Sequence, residues 1–135
     1  MNRRLFAKWG LGMASMSGLV SIPTLAGTKK KKLKNVFIHH VYFWLKNPES
    51  ETDKAKLLEG LVLLTKCKSI QSFHIGVPAS TSRDVIDGSY TFSWFTTFAN
   101  AADEQAYQVD PIHDKFRNDY HDLWSRVIVY DSVDA

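Results

Sequence analysis

A tyrosine and a histidine, Tyr107 and His113, are the pair in this sequence whose types and spacing could do chemistry. Five residues separate them, and one of these is Pro111, which fixes the bend between the two side chains. A histidine with a pKa near neutrality can take a proton from an activated carbon, and a tyrosine hydroxyl can hold a developing oxyanion. The preceding carboxylate, Asp110, is expected to raise the basicity of a nearby imidazole. The pair therefore predicts acid–base chemistry.

A purely structural role is the alternative for the same two side chains. In that interpretation the phenol of Tyr107 packs and bonds to the backbone, and His113 lies exposed in the first turn of a helix. An open cavity reached by both side chains favours chemistry, whereas a filled one favours packing.

Metal and cofactor motifs are weak in this sequence. His113, Arg117 and His121 recur every four residues, but the arginine repels a cation and the two histidines lie two helical turns apart. Asp110 with His113 supplies two ligands only, fewer than a zinc site needs. The single cysteine, Cys67, excludes an intramolecular disulfide and is expected to be a small buried hydrophobe. We therefore predict no metal and no cofactor.

Residues 35–133 are predicted to fold as one α+β domain. Its strands and helices follow the order β-α-β-β-α-β, the split βαβ or ferredoxin-like arrangement. The predicted strands are 36–45, 69–77, 89–98 and 126–130; the predicted helices are 49–66, 100–107 and a piece that starts at 110. Ser50 or Thr52 is expected to cap the first helix and Asn100 the second.

The first predicted strand is apolar on both faces, which is typical of a sheet that is covered on both sides. His39 lies on the face that also carries Val41, and a buried histidine and a cavity-lining histidine are both compatible with that position. His40 and His74 are expected to be structural or exposed.

Three segments together resemble the stress-responsive A/B barrel (Dabb) family. Residues 39–46 are similar to the family's opening His-x-Val-x-Phe-x-Leu-Lys, and residues 107–113 are similar to its Tyr-x-x-His-Pro-x-His, with Asp110 at the first histidine of that motif. The last strand, 127–131, ends as these domains usually do. The resemblance implies a dimeric α+β barrel, in which two four-stranded sheets pack face to face.

The resemblance also implies a pocket between sheet and helices. Family members of the polyketide cyclase type use a tyrosine/histidine pair at these motif positions for an aldol closure without a metal. The expected catalytic pair is therefore Tyr107 and His113, and the expected pocket lining is His39, Val41, Phe92 and Asp110. We predict a homodimer that binds, or processes by acid–base chemistry, a small apolar or aromatic carbonyl compound. A non-catalytic dimeric binding or stress-protective module is the alternative, and a cofactor-free oxygenase is a third by fold analogy.

The first residues look like a signal peptide of the twin-arginine type, predicted over 1–27. Residues 2–8 hold the paired arginines, residues 9–22 are weakly apolar and rich in glycine, and Ala26 precedes a plausible cleavage point. The apolar stretch is too short for a comfortable membrane span of about 20 residues. We predict an exported, periplasmic protein without a stable membrane anchor, with a lysine-rich linker at 28–34.

Charge argues against a nucleic-acid partner. All 14 acidic residues follow residue 34, whereas eight of the 17 basic residues precede residue 35. The predicted domain is therefore acidic and lacks the clustered lysines and arginines of a nucleic-acid surface.

Overall fold

The computed structural model describes residues 27–135, so the predicted signal peptide lies outside the described residues except for Gly27. Residues Lys32–Ala135 form one compact unit. Its elements are β1 (Phe37–Leu45), α1 (Glu51–Leu64), β2 (Ser72–Gly76), β3 (Phe92–Phe98), α2 (Ala101–Gln108), α3 (Pro111–Tyr120), a 3-10 turn (His121–Leu123) and β4 (Trp124–Ser132). None of the helices in this described part is long and apolar enough to span a membrane.

The four strands form one antiparallel sheet in the order β2-β3-β1-β4. Strand β1 is central, so Val41 lies between Trp94 of β3 and Val129 of β4. The predicted ferredoxin-like order is confirmed, with α2 and α3 together forming the second helical connection.

Each helix begins at a side-chain cap. Ser50, one of the two predicted candidates, accepts a hydrogen bond from the backbone N–H of Asp53, and Asn100 accepts one from Asp103. These bonds satisfy N–H groups that have no partner within the helix. Asp110 caps α3 in the same way, and Pro111 takes the first helical position, where its missing N–H costs nothing.

The helices pack on one face of the sheet and enclose the core with it. Val41, Phe43 and Leu45 of β1 point into this core, together with the buried residues Leu57, Leu61, Leu64, Trp94, Phe98, Tyr107 and Phe116. The opposite face of the sheet carries half-buried aromatic side chains, among them Tyr42 and Phe95. Strand β1 is therefore apolar on both faces, as predicted, but the helices cover only one of them.

The observed bounds of β2, β3 and β4 differ from the predicted ones. Strand β2 is four residues shorter than predicted, and β3 begins at Phe92, because the segment before it turns at Asp87, whose carboxylate accepts from the N–H of Ser89. Strand β4 is longer than predicted because it pairs with β1 along nearly its whole length.

Helix α3 lies close to α1 at Gly60. A Cβ atom at Gly60 would lie 2.8 Å from Cδ2 of Tyr120 and 3.0 Å from Cδ2 of Phe116. Gly60 therefore allows α3 to pack close to α1. Because His113 lies in the first turn of α3, this packing also helps to set the position of His113.

Candidate functional site

A cavity of about 200 Å³ lies between the sheet and helices α2 and α3. It sits mainly over β1 and β4 and is smaller than the roughly 300–1,000 Å³ typical of sites for drug-sized ligands. Its walls are mostly apolar and aromatic, and Val127 and Val129 are half-exposed at its edge. The lining residues with polar side chains are His39, Trp94, Tyr107, Gln108, His113, Arg117 and Trp124.

Tyr107 lies in the last turn of α2, with its side chain fully buried in the cavity wall. The indole Nε1 of Trp94 donates a hydrogen bond to the Tyr107 hydroxyl oxygen, with the two atoms 3.1 Å apart. Burial raises the pKa of Tyr107 well above its ordinary value, so the phenol stays protonated. Because its oxygen already accepts from Trp94, the Tyr107 hydroxyl can donate its own hydrogen to a bound molecule.

His113 lies in the first turn of α3, where the bend at Pro111 turns the chain back toward α2. Its side chain is buried, and Nδ1 has no hydrogen-bond partner among the described residues. The rings of His113 and Tyr107 lie 4.5 Å apart between centroids. Burial, with smaller effects of the nearby Arg117 and His39, lowers the pKa of His113 to about 4. The imidazole is therefore neutral at neutral pH.

His39 is the third polar group of the cavity. It is buried on β1, and its Nδ1 lies 2.7 Å from a carboxylate oxygen of Asp131, its antiparallel neighbour on β4. A carboxylate oxygen of Glu104 on α2 lies 3.9 Å from the same nitrogen. The ring of His39 is 5.8 Å from that of Tyr107. One phenol and two imidazoles thus surround a common cavity.

Of the predicted pocket residues, His39 and Val41 line this cavity together with the predicted pair, whereas Phe92 and Asp110 do not. Phe92 pairs with Phe43 and lines a separate depression with Pro48, because the cavity lies over the half of the sheet near β4.

The prediction that Asp110 raises the basicity of a nearby imidazole is wrong for His113. Its carboxylate accepts from the backbone N–H of Ile112 at 2.8 Å and caps α3. The pKa of His113 is lowered instead of raised, since burial of the ring has the largest effect.

Cys67 is buried, as predicted. Burial, reinforced by the charge of Asp110, raises the pKa of its thiol to about 11. The thiol is therefore protonated at neutral pH and is a poor nucleophile.

The hydrogen-bond partners of the predicted site residues Tyr107 and His39 could not be predicted from the sequence. The sequence pattern does not single out Trp94, which donates to Tyr107, or Glu104 and Asp131, which lie beside His39. The signal for Asp131 was present, because it follows Val127 and Val129 on the same face of the last strand. Recognising it required the register between β4 and β1, which the spacing of apolar residues does not provide.

The fold and the cavity define a ferredoxin-like α+β domain with a small buried site between sheet and helices. The family profile of the stress responsive A/B barrel domain matches residues 37–134. The chain belongs to this family, abbreviated Dabb. No curated protein sequence matches the chain.

Solved structures share the fold at low identity. A Dabb family protein from Mesorhizobium loti is 22% identical, with a TM-score of 0.63, covering 74% of this chain and 97% of its own. The hydroxynitrile lyase from Passiflora edulis is 16% identical, with a TM-score of 0.64 and coverage of 76% and 96%. A dimeric protein of unknown function from Bacteroides fragilis is 15% identical, with a TM-score of 0.58 and coverage of 76% and 100%.

Proposed function

We propose that this protein is an exported Dabb homodimer whose cavity binds a small apolar or aromatic carbonyl compound and processes it by tyrosine/histidine acid–base chemistry. The observation that carries the proposal is the convergence of His39, Tyr107 and His113 on one largely apolar cavity.

The two members of the predicted pair have complementary roles at the oxygen of a bound carbonyl compound. Tyr107 donates its hydroxyl hydrogen to that oxygen. Trp94 supports this role because its indole N–H already donates to the tyrosine oxygen. The neutral imidazole of His113 makes a second hydrogen bond, which strengthens as negative charge develops on the oxygen. Both groups are preorganised in a site of low polarity, where such hydrogen bonds gain strength.

The walls and the volume restrict the class of compound. Aromatic walls favour an aromatic or alkyl group, and a cavity of about 200 Å³ favours a small one. The Passiflora edulis neighbour is a hydroxynitrile lyase. Because hydroxynitriles are adducts of carbonyl compounds, that neighbour supports chemistry at a carbonyl carbon on this fold.

The open face of the sheet supports the homodimer. His40 of β1 stacks on Tyr42 with ring centroids 4.4 Å apart and contacts Phe95 edge-on at 5.3 Å. Tyr42 also contacts Tyr90 and Tyr130, so the aromatic layer extends across three strands and the segment before β3. A contiguous aromatic layer on an open sheet face is typical of an interaction surface. Neighbours described as dimeric ferredoxin-like proteins support a second copy as its partner.

Binding of 1-phenylpropan-2-one, a small ketone that carries a benzyl group, tests the cavity. We expect saturable binding to the wild type, and we expect Tyr107→Phe to weaken it by about tenfold, because a hydrogen bond to the ketone oxygen is worth about 1.4 kcal/mol in this range. Isothermal titration calorimetry measures both affinities. Tyr120→Phe, which removes a hydroxyl on α3 outside the cavity lining, is the matched control and should bind like the wild type. Failure of a panel of small aryl and alkyl ketones and aldehydes to bind the wild type would contradict the proposal.

Export is tested on the paired arginines, Arg3 and Arg4. Changing both to lysine preserves the positive charge but removes the motif that the twin-arginine pathway requires. We expect the precursor to stay in the cytoplasm, whereas Lys30→Arg with Lys31→Arg in the linker should export normally. Immunoblots of periplasmic and cytoplasmic fractions measure the distribution. Normal periplasmic yield from the variant with lysines at positions 3 and 4 would refute this route.

A further inference from the structure

His39 has a set of contacts that the tyrosine/histidine pair does not explain. Its Nδ1 lies 2.7 Å from an oxygen of Asp131, and an oxygen of Glu104 lies 3.9 Å from that same nitrogen. Glu104 is itself held by Gln108, whose side-chain nitrogen donates to it at 2.7 Å. Two carboxylates therefore approach one edge of a buried imidazole from two different elements, α2 and β4.

These contacts fix the tautomer of His39. A carboxylate only accepts hydrogen bonds, so the contact with Asp131 places the proton of a neutral imidazole on Nδ1. The other nitrogen, Nε2, then carries the lone pair, and it makes no hydrogen bond within the described residues. Because His39 lines the cavity, Nε2 is the nitrogen available to a molecule bound there.

The two cavity histidines differ in their surroundings when a proton is added. A protonated His39 would lie between Asp131 and Glu104, whose charges compensate its own. A protonated His113 would be buried beside Arg117, and its pKa is accordingly lowered to about 4. The position of these two carboxylates therefore favours His39 over His113 as the group that accepts a proton inside the cavity.

We propose that His39 is the proton-accepting catalytic residue of the cavity and that Asp131 is its positioning residue, an inference that rests on the proposed carbonyl chemistry. The C–H bond next to the carbonyl group breaks, its proton passes to Nε2 of His39, and its electron pair forms the C=C bond of an enolate. The enolate oxygen is held by the Tyr107 hydroxyl and the neutral His113 ring. The return of a proton from His39 to carbon restores the ketone.

A divalent cation held by the same three side chains is less compatible with the geometry. Their candidate ligand atoms lie within 4.8 Å of one another. However, ligand atoms on a tetrahedral zinc ion lie roughly 3.4 Å apart given the usual bond lengths. The 2.7 Å between His39 and Asp131 is instead a hydrogen-bond length.

The first test needs no ligand. Long-range ¹H–¹⁵N NMR spectra distinguish the two neutral tautomers of histidine. We expect His39 of the wild type to carry its proton on Nδ1, and we expect Asp131→Asn to change this state because an asparagine amide can donate to Nδ1. The matched control is Asp122→Asn, which alters an exposed carboxylate beside His121. A wild-type His39 protonated on Nε2 overturns the inference whatever the protein binds.

The second test uses ¹H NMR to follow hydrogen–deuterium exchange in D₂O at the benzylic carbon of 1-phenylpropan-2-one, which lies next to its carbonyl group. We expect the wild type to accelerate exchange and His39→Asn to lower the rate about 100-fold, within the range of general-base catalysis. Asparagine retains an N–H donor for Asp131 but has no basic nitrogen in place of Nε2. Asp131→Asn should lower the rate about tenfold or more with ketone affinity unchanged, whereas Asp122→Asn and added chelator should change nothing.

Each result decides a different claim. Exchange that persists in His39→Asn and in Asp131→Asn overturns the role of His39 but leaves the cavity chemistry standing. Loss of exchange on adding chelator replaces the imidazole base by a metal site. Ketone that binds to the wild type without any accelerated exchange overturns the proposed proton transfer and the inference together.

Discussion

Replacing Phe95 with glutamate is expected to convert the proposed homodimer into a folded monomer. Phe95 lies on β3 at the centre of the open sheet face, with His40 of β1 and His74 of β2 as its antiparallel neighbours. In a twofold dimer the substitution introduces two charges into one apolar interface. Burying unpaired charges should raise the dissociation constant at least about 100-fold. Sedimentation velocity at micromolar concentration measures the change.

The same experiment separates the interface from the core. Val85→Glu places an equal charge on a fully exposed loop valine and should leave the dimer intact. Retained circular dichroism in Phe95→Glu would show that the monomer is folded. A wild type that sediments as a stable monomer, or a Phe95→Glu variant that remains dimeric, contradicts the packing of two sheets through this face.

A loss of stability in mild acid is the second large effect, and it should depend on His113. The folded protein holds the pKa of His113 at about 4, below the ordinary 6.5, chiefly because the ring is buried. The unfolded chain therefore binds this proton as the pH falls below about 6.5, while the folded chain does not. Stability from this group is complete above pH 6.5 and falls progressively as the pH approaches 4, by at most roughly 3 kcal/mol because solvent screening reduces the effect.

Urea denaturation at a series of pH values measures this dependence. We expect the difference in free energy of unfolding between the wild type and His113→Leu to be constant above pH 6.5. Between pH 6.5 and pH 4 the variant should become progressively more stable relative to the wild type. His121→Leu, at an exposed histidine after the same helix, serves as the control and should keep the wild-type dependence. An equal slope in wild type and His113→Leu would mean that the buried ring does not resist protonation.

The fold could be predicted because its signals are local. Ser50, Asn100 and Asp110 cap their helices through side chains a few residues away, and the pattern of apolar residues separates strands from helices without any distant contact. The ends of β2 and β4 were less accessible to this reasoning. They depend on how far a neighbouring strand continues to pair, which is a property of the assembled sheet.

The candidate site could be predicted only in part for the same reason. Tyr107 and His113 are close in sequence, so their motif can be recognised from the sequence alone. The contacts of His39 join residues 92 positions apart, and the bond from Trp94 to Tyr107 crosses from a strand to a helix. The low pKa of His113 depends on burial, which no neighbouring residue in the sequence reveals. Asp110 shows the converse, since a carboxylate three residues from a histidine serves the helix end instead.

A crystal structure of the protein with 1-phenylpropan-2-one tests the central claim most directly. We expect the ketone in the cavity between the sheet and α3, with its oxygen about 2.6–3.2 Å from the Tyr107 hydroxyl and its reacting carbon facing His39. A ketone bound with its oxygen turned away from Tyr107, or a cavity that stays empty at saturating ketone concentration, would contradict it.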